Sequence, residues 1–171
     1  TRYIGVSWAR RCVEETVGTR RTQFRFPETS IGIYPGLGGS QRPARICGIP
    51  AARWAVLAGN FMDANTAADL GLVTHLVDVA AVDECINTLA TEGKPAVKYP
   101  GEPANPSSPV AKFATSFFTD ENMPVLMNGE CPDGFDQGEK IVARQIKSLS
   151  FTAPIGLQMA SDLIDATATV S

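Results

Sequence analysis

Apolar residues recur at helical spacing through most of the second half of the chain. Ile141, Val142, Gln145, Ile146 and Leu149 fall on one side of a helix predicted over 135–149, with Glu139, Lys140, Arg144 and Lys147 facing water. A last helix, from Pro154 to about Thr167, buries Ile155, Leu157, Met159, Leu163 and Ile164 as core or subunit interface rather than as a cofactor box. Val110 to Phe118 gives an earlier helix, and a turn-rich piece from Thr119 to Gly134 separates it from the next. In the first half the pattern predicts two helices between Arg42 and Leu57, the second carrying Pro50 in its first turn. Asp63 caps a short helix from Ala64 to Leu70, which Gly71 stops. Asp78 opens another, through Ala90, with Val82, Cys85, Ile86 and Leu89 on one face and Asp83 and Glu84 on the other. Strand signals are short: Gln23 to Phe26, Ile31 to Tyr34 and Val73 to Val77. A helix from Ser7 to Val17, capped by Ser7 and ended by Gly18, shows only a thin stripe of Trp8, Cys12 and Val13.

Between Gly93 and Pro109 the composition shifts to Lys, Pro, Gly, Ser and Asn, which predicts a linker or a loop laid over the surface. The expected organisation is a core segment over 1–92, the Pro-rich piece over 93–109 and a helical region over 110–171. With 171 residues, of which 44% are hydrophobic and 19% charged, the chain can bury one substantial core. A net charge of −3 supplies no field for polyanions, and Glu14 and Glu15 interrupt the arginines at 10, 11, 20, 21 and 25, so nucleic acid is not an expected partner. No apolar run approaches spanning length and the start lacks a signal-peptide core, so no membrane partner and a cytoplasmic location are expected. Cys12, Cys47, Cys85 and Cys131 are scattered as reduced structural thiols would be. The single histidine, His75, rules out a His-rich metal site and alternates with apolar residues as a half-buried spacer would.

The chemistry-bearing stretch is 24–42, Phe-Arg-Phe-Pro-Glu-Thr-Ser-Ile-Gly-Ile-Tyr-Pro-Gly-Leu-Gly-Gly-Ser-Gln-Arg. Glu28 follows a proline that cannot donate a backbone hydrogen bond, so its carboxylate sits where an extended segment ends. Ile31, Ile33 and Tyr34 read as a brief buried strand, Pro35-Gly36 turns the chain, and Gly38-Gly39 exposes bare N–H groups. Ser40 is placed to cap the helix beginning near Gln41. A carboxylate, a glycine-lined cradle and a helix start thus lie together. Read without any family, the Pro27-Glu28 pair could equally be a turn whose carboxylate caps a neighbouring backbone.

This stretch resembles the crotonase superfamily of enoyl-CoA hydratases and isomerases, whose pattern Phe-x-x-Pro-Glu then Gly-x-x-Pro-Gly-x-Gly-Gly-Thr-Gln-Arg is matched by Phe24, Pro27, Glu28, Gly32, Pro35, Gly36, Gly38, Gly39, Gln41 and Arg42. Ser40 stands where the family has threonine. A second block, Ala55 to Ala64 with Ala67 to Val73, is similar to the family's next run, so the resemblance covers roughly 22–78, with weaker similarity over 115–168. It implies an α/β, helix-rich, partial crotonase fold with a few short strands, and an acyl-CoA substrate handled without metal or redox cofactor, coenzyme A being part of the substrate. In the family's terms Glu28 handles the proton at C2, Gly36 offers its N–H to the reacting water, and Tyr34 and Pro35 border the substrate. Counted back without a gap, the oxyanion-hole glycine falls at Gly5 and the other catalytic glutamate at Trp8, in a segment (1–21) atypical of the family.

An indole cannot relay the proton that hydration requires. The resemblance therefore implies a hydratase or isomerase by descent, with fatty-acid beta-oxidation as the expected setting, hydration by this chain alone expected to be poor and isomerisation the activity one carboxylate can still support. It also implies a homo-oligomer, a trimer or hexamer in the family, or a complementing N-terminal half, together with absent final helices. The stretch between Asp78 and Pro154 is longer than in the hydratases, and Phe117 to Asn122 with Phe151 to Pro154 is similar to 3-hydroxyisobutyryl-CoA hydrolases. Thioester hydrolysis is accordingly one alternative, although Gly36 stands where those hydrolases carry aspartate. A catalytically inactive fragment or assembly subunit is the other.

Overall fold

The computed structural model describes residues 16–92 and 100–169. Gly5, Trp8 and most of the helix expected over 7–17 lie outside them.

Two small sheets sit at one side of a helical body. β1 (Val17–Gly18) pairs in parallel with β4 (His75–Leu76), and β2 (Gln23–Phe24) pairs antiparallel with β3 (Met62–Asp63). Val17 and Gly18 are therefore strand residues and do not end a helix. The Val77 N–H extends the parallel ladder to the Gly18 carbonyl at 2.9 Å.

The helices follow as α1 (Gln41–Cys47), α2 (Ile49–Val56), α3 (Ala64–Asp69), α4 (Val82–Glu92), α5 (Pro109–Phe117), α6 (Met123–Met127), α7 (Lys140–Ser150) and α8 (Pro154–Asp165). Local chemistry sets several boundaries. The Asp63 carboxylate accepts from the Thr66 N–H at 2.7 Å, which caps α3, and this bond holds the carboxyl below its usual value. Ser108 caps α5 in the same way, accepting from Ala111 at 3.2 Å. Asp78 makes no such bond; a 3-10 turn, Val79–Ala81, precedes α4 instead. α6 lies inside the stretch that the sequence marks as turns. A helix of five residues opened by Pro124 is too short to show a period. α7 begins five residues later than the apolar pattern suggests, because 135–139 is held in turns, with Glu139 N–H donating to Asp136.

α2 is the centre of the core: every side chain from Ala51 to Val56 is buried. Around it close Phe26, Leu57, Met62, Leu70, Phe117, Phe118, Leu126, Val142, Leu149, Leu157 and Ile164. Phe117 forms an aromatic knot, stacked on Phe113 with centroids 4.9 Å apart and edge-on to Phe118 and Phe135 at 5.2 and 4.8 Å. Arg53, buried in α2, donates to Asp165 of α8 at 2.7 Å, to Asp120 at 2.7 Å and to the Phe118 carbonyl at 3.1 Å, which ties three segments together. Asn60 donates to Gln145 of α7 at 2.7 Å and to the Trp54 carbonyl at 2.9 Å, so these buried amides satisfy one another.

Several residues assigned to the core face outward instead. Ile141, Ile155 and Met159 are exposed, and α4 has no fully buried residue, its face at Val82, Cys85 and Leu89 being half-buried. Ile141 lies at the edge of the buried face of α7, whereas Ile155 and Met159 lie on the side of α8 away from its buried residues Leu157, Ala160 and Ile164. Residues 100–108 cross α1 and α3: Gly101 N–H donates to the Arg45 carbonyl at 2.9 Å, and Asn105 binds Asp69 through backbone and side chain at 2.8 and 2.9 Å. Among the described residues no helix is long and apolar enough to cross a membrane.

Candidate functional site

Glu28 lies between a buried anchor and an exposed turn. Phe26, two residues before it, is fully buried, and Thr29, immediately after it, is buried and donates its hydroxyl to the Val56 carbonyl at 3.1 Å, at the end of α2. Arg25 binds the Gly59 carbonyl through Nε at 2.9 Å and lies 4.7 Å over the Phe61 ring. The segment carrying Glu28 is therefore fastened on both sides to the end of α2 and the loop beyond it.

The strand expected at Ile31 to Tyr34 does not form. Thr29–Ile31 is instead a 3-10 turn, in which Ser30 N–H donates to Pro27, Ile31 N–H to Glu28 and Gly32 N–H to Thr29, each at 3.1 Å. Gly32 closes it with φ of 83°, a conformation that β-branched neighbours avoid. Ile33 N–H returns to the Glu28 carbonyl at 3.1 Å, so this carbonyl accepts two donors. The side chains expected to be buried point outward: Ile31 is 71% exposed, Ile33 52% and Tyr34 40%.

The glycine cradle follows. Pro35 is buried, and its carbonyl accepts from the Ser40 hydroxyl at 3.3 Å. Ser40 thus stands at the N-cap of α1 without capping it, its hydroxyl fixing the Pro35 turn instead. Gly39 N–H donates to the Gly36 carbonyl at 2.9 Å. A Cβ on Gly39 would stand 2.8 Å from that of Pro35, whereas a Cβ on Gly36 would meet no atom within 4 Å, so the space beside Gly36 is open. Leu37, at the tip, holds a positive φ of 54°, which costs a non-glycine residue about 1–2 kcal/mol.

One electrostatic observation distinguishes Glu28. Its Oε2 is buried and has no hydrogen-bond partner among the described residues. Leaving a carboxylate oxygen unmatched costs about 1–3 kcal/mol or more, so such atoms are uncommon outside functional sites. No hydrogen bond joins this carboxylate to Tyr34, Pro35 or Gly36; the backbone of the turn connects them. Thr29 was not singled out in the sequence, because a threonine after a glutamate carries no signal until α2 is placed beside it. His75 is half buried, with Nδ1 2.9 Å from the Thr74 hydroxyl, and it borders a cleft with Glu84 and Cys85 rather than Glu28. No three His, Cys, Asp or Glu side chains are grouped to hold a metal among the described residues.

The model of one protein family, enoyl-CoA hydratase/isomerase, matches residues 5–171. The chain belongs to this family. Among curated relatives, the enoyl-CoA isomerase/hydratase fer4 of Mycosarcoma maydis is 35% identical over 85 residues, which is 50% of this chain and 30% of that protein. A short-chain-enoyl-CoA hydratase of Clostridioides difficile is 30% identical over 90 residues, 50% of this chain and 58% of the relative. A peroxisomal bifunctional enzyme of Cavia porcellus is 39% identical over 61 residues, 36% of this chain and 8% of its own length. The family member thus matches between 8% and 58% of the length of these relatives. Among solved structures, a carnitinyl-CoA dehydratase from Mycobacterium thermoresistibile superposes with a TM-score of 0.64 at 17% identity, covering 92% of this chain and 46% of that one. That likeness bears out the helix-rich, partial crotonase fold.

Proposed function

We propose that this family member acts on enoyl-CoA thioesters and that Glu28 carries the proton at C2 of the acyl group. The observation behind this reading is the Oε2 of Glu28, buried and without a hydrogen-bond partner among the described residues, on a segment that runs into a glycine turn open at Gly36. In isomerisation of a 3-enoyl thioester, the carboxylate removes a proton from C2 and the electron pair moves toward the thioester oxygen. The carboxylic acid then returns that proton to C4, leaving the double bond between C2 and C3. One carboxylate suffices, and the reaction needs no metal or redox cofactor. The N–H of Gly36, where no side chain fills the space, is the donor assigned to the reacting water or the thioester side of the substrate. Tyr34 and Pro35 border the acyl group, and the setting is fatty-acyl-CoA breakdown in a soluble compartment, the cytoplasm. Exposed Ile31, Ile33 and Leu37 support work within an assembly that covers them, formed with further copies or with the remainder of the fold.

Two substrates test the reading. With 3-butenoyl-CoA, conjugated thioester absorbance should rise; with crotonyl-CoA its loss by hydration should be slow. Glu28→Gln should lower the isomerisation rate by about 10² to 10⁴. Release of free thiol from a 3-hydroxyacyl-CoA, in place of either change, would assign a thioester hydrolase. An unchanged rate in Glu28→Gln would remove Glu28 from the mechanism.

A further inference from the structure

Helix α8 meets the Glu28 turn at a glycine. Gly156, buried in the first turn of α8, lies so close to the Gly32–Ile33 peptide that a Cβ on it would stand 2.8 Å from the Gly32 carbonyl carbon, 2.9 Å from its oxygen and 3.2 Å from the Ile33 nitrogen. Backbone atoms cannot swing aside as the tip of a side chain can, so any residue larger than glycine must move the helix or the turn. The peptide it touches is the one that closes the turn, its Ile33 N–H on the Glu28 carbonyl, and the peptide before it binds Thr29 through the Gly32 N–H. Ala153, just before α8, approaches from the other side: a Cβ on Gly32 would stand 3.3 Å from the Ala153 Cβ.

The helix itself is firmly seated. Leu157, Ala160 and Ile164 are buried, and Asp165 at its far end binds Arg53. Of the two partners at this contact, the exposed 3-10 turn is the one free to yield.

We infer that Gly156 is a positioning residue for Glu28: the missing side chain at 156 sets how deeply turn 28–33 seats, and hence where the carboxylate points. This assignment rests on the reading of Glu28 as the proton carrier. It is new in placing a determinant of the site more than a hundred residues away, on a helix that contributes no reacting group.

The test is Gly156→Ala in the full chain, followed by amide hydrogen exchange and by 3-butenoyl-CoA isomerisation. The N–H groups of Ile31, Gly32 and Ile33 should exchange about tenfold faster, while amides of α2 keep their protection. Isomerisation should fall about tenfold or more in kcat with KM little changed. Ile164→Val, a cavity variant at the other end of α8, supplies a matched loss of stability and should move neither readout. Ala153→Val wedges the same junction more gently, and should give the same pattern if Gly156→Ala fails to fold. Unchanged exchange at 31–33 in both wedge variants would overturn the proposal, as would an equal response in Ile164→Val. If instead Glu28→Gln retains full activity, the reading of the reaction fails, and amide exchange alone still decides whether Gly156 positions the turn.

Discussion

Helix α2 and the turn that follows Glu28 adjoin each other and are held by opposite means. In α2 the side chains provide the hold: Ala51 to Val56 are buried, and Arg53 reaches Asp165, Asp120 and a carbonyl. In the turn the backbone does most of it, through successive N–H bonds to carbonyls three residues back and the close approach of Gly156, with the Thr29 hydroxyl as the one side-chain anchor described. Its own apolar side chains are left outside, Leu37 at 68% exposure and in a strained conformation. A scaffold that spends its side chains on burial, next to a turn that keeps them free, marks the turn as the surface meant to meet something else.

The comparison can be broken at either end. Arg53→Leu should do the most damage, about 2–4 kcal/mol, because it strands the Phe118 carbonyl and releases α8 from α2. A lowered urea midpoint with unchanged slope would register this, whereas a midpoint within error of the parent would mean that the ion pair contributes nothing net. Thr29→Val should cost less, about 1–2 kcal/mol, by leaving the Val56 carbonyl without its hydroxyl donor at nearly constant volume. Its effect should appear first as faster exchange at 31–33. Leu37→Gly should move stability the other way, raising it by about 0.5–1 kcal/mol as the positive φ is relieved. A drop instead would show that the Leu37 side chain is packed in solution. The effect that is silent at neutral pH concerns thiols. Burial pushes the Cys47 thiol up to about 12, so it should resist a disulfide reagent at neutral pH while half-buried Cys85 and Cys131 react. Because its folded value lies above the ordinary 9.0, Cys47 contributes stability that is present below that pH and is lost as pH rises from about 9 toward 12, which a thermal melt series can follow.

The two regions were unequally legible in the sequence. The bounds of α1, α2 and α3 were readable because Pro50, Asp63 and Gly71 punctuate them, and β2 and β4 fell inside their expected spans. Ile31 to Tyr34 misled because alternating β-branched residues carry strand propensity, and here tertiary contacts outweigh propensity: the space is taken by α8, which needs Gly156 to come so close. α6 lacked the length to show a period. Ile155 and Met159 were assigned to the core for being apolar, although the helical period puts them on the side of α8 away from Leu157, Ala160 and Ile164. At the site, the motif singled out Glu28 and Gly36 as residues. The Thr29 anchor and the Gly32–Gly156 contact did not, since both depend on which distant segment packs there.

The central claim is that Glu28 exchanges a proton with C2 of an acyl-CoA thioester, and it can be tested without requiring complete turnover. Butyryl-CoA incubated with the protein in deuterium oxide should acquire deuterium at C2, read by mass spectrometry, and Glu28→Gln should slow this by about 10² or more while folding as the parent does. Equal deuterium uptake with the parent and with Glu28→Gln, or uptake no faster than in buffer with either, would contradict the account.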